Sequence, residues 1–345
     1  MSATHTSSTP KRVLSGMRPT GRLHLGNYMG ALRNWVELQH EKNDGGGLKY
    51  ECFFFIADLH ALTTEYADPS GIQQSIQDVA MDFLAAGLDE TSIFVQSDVP
   101  QHSELFTLFA MFTPLSWLER VPTYKDQQEQ LREKDLNTYG FLGYPLLQAA
   151  DILLYRPDFV PVGQDQVAHV ELTREVARKF NSHYKPGKQD VLPEPKVLVT
   201  ASPKLPGTDG RKMSKSYGNT ISLTEPEAEV RKKLKTMVTD PARVRRTDPG
   251  NPEVCPVGDL HKVFSSDETR LKVWEGCTTA GIGCIECKGW AADGIVAVLE
   301  PIQARRKKYE ANPKLVTEIL TAGAVRAKEN AEATMQQVRH AMKLG

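Results

Sequence analysis

The sequence predicts an α/β first half built on a parallel sheet, followed by a mostly α-helical second half. Three observations predict it. From Lys11 to about Ser202, short β-rich runs alternate with helix-length amphipathic stretches, the pattern of a parallel sheet flanked by helices. The stretch KLPGTDGRKMSKSYGN then breaks the texture, being rich in Gly, Lys and Ser and without apolar periodicity. From Glu225 onward charged amphipathic segments follow, with no strand pattern between them.

The strands expected in order are Arg12 to Ser15, Tyr50 to Ile56, Ile93 to Gln96 and Phe159 to Val162, with a weaker run from Val197 to Thr200. ECFFF in the second is nearly all apolar or aromatic, as a strand covered on both faces requires. Tyr28 to Glu41 and Gly71 to Ala86 have helical spacing, and Gly87 stands where a helix C′ glycine belongs. In the second half, Glu225 to Met237, Ala292 to Tyr309 and Leu315 to Met342 read as amphipathic helices. Gly45 to Gly47 is a turn between a helix and a strand.

Composition narrows the function classes. A chain of 345 residues suggests two domains, and 40% hydrophobic residues suffice for sizeable cores. Lys plus Arg number 42 against 43 Asp plus Glu, so the net charge of -1 excludes a globally basic, histone-like mode of nucleic-acid binding. A polyanion must therefore meet a local patch. No apolar run approaches the roughly 20 residues of a membrane span, so no membrane partner is expected. The first dozen residues lack an apolar core segment and read as a frayed tail and not as a secretory signal, so export is not expected and a reducing, cytoplasmic setting follows.

Two segments suit phosphate. Strand one runs into SGMRPTGRLHLGNY, whose glycines permit close backbone approach while the helix that follows offers unpaired N–H groups and a positive dipole end. His24 and Asn27 add side-chain donors there. On its own such a turn is as often a structural necessity. The second is RKMSKS in the loop after the sheet, where Lys212 and Lys215 with serines between them form a cationic arm able to close over a polyphosphate. Composition alone reads it equally as a solvated basic loop.

PTGRLHLGN followed by KMSKS resembles the two signature sequences of class I aminoacyl-tRNA synthetases, and the likeness covers nearly the whole chain. DLHALTT, YPLLQAADILLY and VPVGQDQVAHVELTRE look like the tryptophanyl and tyrosyl branch, with SGMRPTG and AADILLY closer to the tryptophanyl family. Asn27 stands where the class motif has its second His, a marker of that branch. The resemblance implies a Rossmann-type catalytic domain and an α-helical anticodon-binding domain, with boundaries at 1–10 for the tail, 11–205 for the catalytic domain, 206–222 for the KMSKS linker and 223–345 for the helical domain, its last helix packing back on the first.

It further implies activation of L-tryptophan by ATP with Mg²⁺, release of pyrophosphate, and transfer to tRNA(Trp) by a homodimer. Arg18, Pro19, Thr20, Gly26 and Asn27 would line the ATP site with His24, and Gly163, Gln164 and Asp165 would meet its ribose side. Lys212 and Lys215, with Met213, Ser214 and Ser216 between and beside them, would hold the leaving pyrophosphate. Asp151, Tyr144, Gln148, Val160, Val162, Gln166 and His60 take the positions around the amino acid. A carboxylate acceptor such as Asp151 suits an indole N–H, yet it also accepts from a tyrosine hydroxyl, and Gln148 is frequent in tyrosyl relatives. A tyrosyl enzyme is therefore the alternative.

Of five cysteines, Cys255, Cys277, Cys284 and Cys287 cluster in sequence, and Cys52 lies alone in strand two. Four clustered thiols in a reducing compartment argue for a metal centre rather than disulfides, either zinc or an iron–sulfur cluster. A single CxxC pair and a Pro after Cys255 favour iron. PARVRRTDPGNPEVCPV and WEGCTTAGIGCIECK resemble the subset of the tryptophanyl family that carries a [4Fe–4S] cluster. Basic runs at Arg231 to Lys235, Arg243 to Arg246 and Arg305 to Lys308 supply either solvated helix faces or the local positive surface a tRNA needs.

Overall fold

A computed structural model describes residues 9–122, 124, 135–185, 187, 189–199 and 203–344. Most of the expected tail, and Thr200 and Ser202 at the end of the expected sheet region, lie outside these residues.

Five parallel strands form one sheet in the order β3-β2-β1-β4-β5. They are β1 Lys11–Met17, β2 Tyr50–Ile56, β3 Ile93–Val95, β4 Phe159–Val162 and β5 Lys196–Val199. The strand order reverses between β1 and β4, and such a switch point opens a crevice beyond the carboxyl ends of the strands. β1 is longer than its expected bounds because Gly16 and Met17 still pair with Phe55 and Ile56. Gln96 leaves the sheet to begin a 3-10 turn, Gln96–Asp98.

The helices are α1 Leu25–Asn27, continuing through a π-helical turn Tyr28–Leu32 into α2 Arg33–His40; α3 Asp58–Glu65; α4 Ile72–Ala86; α5 Gln101–Ala110; α6 Leu115–Glu119; α7 Tyr139–Leu154; α8 Val167–Tyr184; α9 Glu227–Thr236; α10 Pro256–Phe264; α11 Asp267–Thr278; α12 Cys284–Glu310; and α13 Pro313–Met342. α4 ends at Gly87, whose φ of 114° is open to glycine at little cost. α12 starts eight residues before its expected bound, at the CIEC segment, because the apolar spacing alone begins at Ala292.

The aromatic run of β2 explains the two-sided burial. Cys52, Phe54 and Ile56 enter one core with Trp35, Phe83 and the helices α9, α10 and α12. Phe53 and Phe55 enter the other with Tyr155, Phe109, Phe180 and α13. Alternate residues of a strand point to opposite faces, so a strand covered on both must be apolar throughout. α13 crosses directly over β3: a Cβ on Gly323 would stand 1.8 Å from the Ile93 carbonyl oxygen, so only glycine lets the helix this close. α12 in turn packs along α4, so both long C-terminal helices rest on the sheet layer.

Candidate active site

The carboxyl ends of β1 and β4 open into a cavity of about 480 Å³, within the usual range of small-ligand sites. β1 and the turn after it contribute Ser15, Gly16, Met17, Arg18, Thr20 and Asn27. α3 supplies His60, α7 supplies Tyr144, Gln148 and Asp151, and β4 with the turn after it supplies Val160, Val162, Gly163 and Gln166. Residues from four separate stretches of chain thus meet in one space.

Asp151 has no exposed surface, so its charge needs partners. It has three: its Oδ1 accepts from His102 Nδ1 at 2.6 Å and Gln96 Nε2 at 2.7 Å, and its Oδ2 pairs with His60 Nε2 at 2.8 Å. His102 Nε2 continues the chain to Tyr155 Oη at 2.9 Å. Burial pushes this carboxyl up, but the His102 and His60 rings overcome that and bring it down to about 2. Asp151 is held as an anion among the residues that line the cavity, and a carboxylate oxygen bonded to one donor keeps a lone pair for a second.

The signature turn is equally determined. The His24 N–H donates to Asn27 Oδ1 at 3.1 Å, which leaves the Asn27 NH₂ group for a ligand. A Cβ on Gly26 would stand 2.8 Å from His24 Cε1, so glycine makes room for the imidazole. His24 is buried and its Nδ1 has no hydrogen-bond partner among the described residues. Burial, with Lys215 nearby, lowers its pKa to about 4, so the ring is neutral at physiological pH.

The lysine loop reaches this turn. Lys215 Nζ donates to the Thr20 carbonyl at 2.7 Å, and partial desolvation there lowers its pKa. Lys212 is exposed on the same loop. Asn219, 2% exposed, fixes the loop's shape: its Oδ1 accepts from the Ser214 N–H at 2.8 Å and its Nδ2 donates to Asp209 at 2.6 Å and to the Lys212 carbonyl at 3.2 Å. The Met213 side chain is buried in the core beneath Gly26 and does not line the cavity. Pro19, His24, Gly26, Gln164, Lys212, Ser214, Lys215 and Ser216 also lie off the cavity wall, Lys215 meeting it through Thr20, and the Asp165 side chain lies outside the described residues.

The profile of the family described as "tRNA synthetases class I (W and Y)" matches residues 6–300. A tryptophan–tRNA ligase of Thermotoga maritima is 52% identical over 96% of this chain and 99% of its own length. One of Ralstonia nicotianae is 49% identical over 97% and 99%. The chain belongs to the tryptophanyl-tRNA synthetase family. A solved tryptophanyl-tRNA synthetase of Campylobacter jejuni, complexed with ADP and tryptophan, superposes with a TM-score of 0.83 at 32% identity, covering 96% of this chain and all of that one.

As a member of this family the chain is a class I aminoacyl-tRNA synthetase, a ligase, and its parallel sheet is the class I fold. Three residues that sequence reasoning missed belong to the site: Gln96, His102 and Tyr155 all act through Asp151, from 4 to 55 residues away. No local motif marks such pairings. Asn219 does carry a signal, as the residue closing KMSKSYGN.

In the helical half of the synthetase, Cys255, Cys277, Cys284 and Cys287 line one small cavity with Arg243 and Lys288, and each is a free thiol. Among the described residues, no three His, Cys, Asp or Glu side chains stand close enough together, as placed, to hold a metal ion. Arg243 is 8% exposed, and its Nη1 lies 3.6 Å from Cys277 Sγ, while its Nε has no partner among the described residues. Burial and the neighbouring thiols raise Cys287 to about 12. A donor set of four sulfurs beside a buried guanidinium suits a thiolate-held group of net negative charge.

The basic runs are less free than the sequence suggests. Arg231 pairs with Glu227 and Asp293, Lys233 with Glu225, and Arg306 with Asp78 and Glu310. Arg305 donates to the Ala85 carbonyl at 2.6 Å. Lys235, Arg245, Arg246 and Lys307 remain as exposed cations. Among the described residues, no helix is long and apolar enough to cross a membrane.

Proposed function

We propose that the cavity binds L-tryptophan and ATP with Mg²⁺, and that the protein forms tryptophanyl-adenylate and then charges tRNA(Trp). In the first step a tryptophan carboxylate oxygen attacks the α-phosphorus, the bond to the β-phosphate oxygen breaks, and pyrophosphate leaves. In the second a hydroxyl of the terminal ribose of tRNA attacks the acyl carbon and AMP leaves. No protein nucleophile is needed, so positioning and charge stabilisation carry the rate. The observation that carries this reading is the contact of Lys215 with Thr20, which joins the two signature sequences at the mouth of the cavity containing Asp151.

Each group then has a role. Arg18, Thr20, Asn27 and His24 receive the nucleotide, Gly163 meets its ribose, and Lys212 and Lys215 hold the leaving phosphates. His24, neutral and with its buried Nδ1 unpartnered among the described residues, would donate an N–H from that nitrogen to a phosphate oxygen. The indole N–H donates to Asp151 Oδ2. Phenylalanine has no such donor and forgoes a hydrogen bond to a charged acceptor, about 1.5–3 kcal/mol. Tyr144, Gln148, Val162, Gln166 and His60 enclose the side chain.

The four cysteines would hold a [4Fe–4S] cluster, their convergence on one cavity beside Arg243 being the support. When bound, the cluster would brace the helical domain through its four ligands. Residues 223–345 would read the anticodon, using the cations left unpaired on that surface. A homodimer is supported by exposed apolar side chains on packed elements: Leu62 and Tyr66 by α3, Met111 after α5, Leu115 on α6 and Tyr139 on α7. Charging tRNA for protein synthesis is the support for a cytoplasmic setting. The test is aminoacylation: purified protein with tryptophan and ATP should charge tRNA(Trp), and failure to charge it overturns the reading.

A further inference from the structure

Leu23, inside PTGRLHLGN, has both backbone groups occupied, and each partner is itself held by α12. Its N–H donates to Asp82 Oδ2 at 2.7 Å, and the other oxygen of Asp82, a fully buried residue of α4, takes the guanidinium of Arg306. Its carbonyl accepts from the Leu223 N–H at 2.9 Å, and the Leu223 carbonyl accepts from Gln303 Nε2 at 3.1 Å. Gln303 also donates to the Glu225 carbonyl at 2.9 Å. Arg306 is 2% exposed and further bonds Asp78 Oδ1 at 2.8 Å, the Asp78 carbonyl at 3.1 Å and Glu310 at 2.8 Å. Neither α12 residue touches the cavity.

Gln303 and Arg306 are three residues apart, so they share one face of α12. We propose that they are positioning residues for the ATP site: α12 grips Leu23 from both sides and thereby sets where His24 and the N–H groups of the helix beginning at Leu25 stand. This rests on the reading of that turn as the nucleotide site. The chemistry explains why a cation is used. Asp82 orients the Leu23 N–H only as an acceptor, and a buried acceptor that carries charge needs a paired cation. Asp78 lies beside it, within 3.5 Å of Arg22 in the same turn. Without Arg306, Asp78 keeps only Arg22 and Asp82 loses its cation, so the buried carboxyl that orients the Leu23 N–H either stands charged beside a triphosphate site and repels the nucleotide, or takes up a proton and accepts the Leu23 N–H less well.

Tryptophan-dependent ATP–pyrophosphate exchange tests this in the full chain, with Arg306→Met, the double variant Arg306→Met/Asp82→Asn, and Gln303→Leu. An asparagine at 82 still accepts from the Leu23 N–H but carries no charge. Arg306→Met should raise the KM for ATP about tenfold while the KM for tryptophan stays within about twofold. The double variant should recover most of that loss, and Gln303→Leu should raise the ATP KM about threefold. An unchanged ATP KM in a folded variant overturns the proposal, as does an equal rise for both substrates, or a double variant no better than Arg306→Met. Should Arg306→Met not fold, Gln303→Leu and the double variant decide by the same readout. Absence of exchange in the unaltered protein strikes instead at the assignment of the site.

Discussion

His102 Nδ1 lies 2.6 Å from Asp151 Oδ1, and neither side chain has any exposed surface. The pair fixes an anion in an apolar wall, with the ring held on its far side by Tyr155. Asp151 therefore meets the substrate already ionised and already oriented. Preorganisation of this kind spares the cost of turning a dipole when the ligand arrives.

Removing that support should act on tryptophan more than on ATP. His102→Leu leaves Asp151 short of a donor and should raise the KM for tryptophan about tenfold or more, with a much smaller change for ATP. His102→Asn, whose amide nitrogen falls near the place of Nδ1, should restore part of it. Steady-state exchange kinetics at varied tryptophan check both.

Lys215 is exposed and its bond is to a backbone carbonyl, so the fold does not depend on it. Lys215→Ala should slow adenylate formation about a hundredfold or more while the melting temperature stays close to the parent's. Near-normal exchange in that variant removes the catalytic assignment.

His24 provides a pH signature. Its folded pKa of about 4 lies below the ordinary histidine value of 6.5, so the unfolded chain takes up the proton more readily. The contribution to stability is complete above 6.5 and is lost as pH falls from 6.5 through 4. Replacing His24 with Gln should flatten the dependence of Tm on pH in that window, measured by thermal unfolding. An unaltered slope contradicts a buried neutral ring.

Protein purified without oxygen should be brown, absorb near about 400 nm and carry about four irons per chain. A colourless preparation with stoichiometric zinc excludes the cluster. Cys284→Ser should lose the metal and weaken tRNA charging more than adenylate formation. Equal loss of both means that the centre holds up the whole protein.

Local signals made much of this legible. The strand Phe159–Val162 and the helix closed by Gly87 follow from residue types and spacing, because burial on two faces and a positive φ each demand particular side chains. The signature turn, the lysine loop, Asp151 and its neighbours on α7 and β4 were recognisable as short motifs. What was not legible depends on the tertiary path. Gln96 and His102 reach Asp151 only because α7 packs against α5 and passes the turn that follows β3. Met213 sits inside the lysine motif, yet its apolar side chain sinks into the core while Lys212 and Lys215 stay outside. Arg305 and Arg306 look like part of a tRNA-binding run, yet they spend their hydrogen bonds on α4, since a charge run in a helix facing another element must find partners there.

ATP–pyrophosphate exchange with each amino acid in turn, without tRNA, tests most directly whether the two signature segments and Asp151 form one activating site. Tryptophan should drive exchange, with tyrosine and phenylalanine at least about a hundredfold weaker in kcat/KM. Exchange driven equally or better by tyrosine, or by neither amino acid, would contradict it.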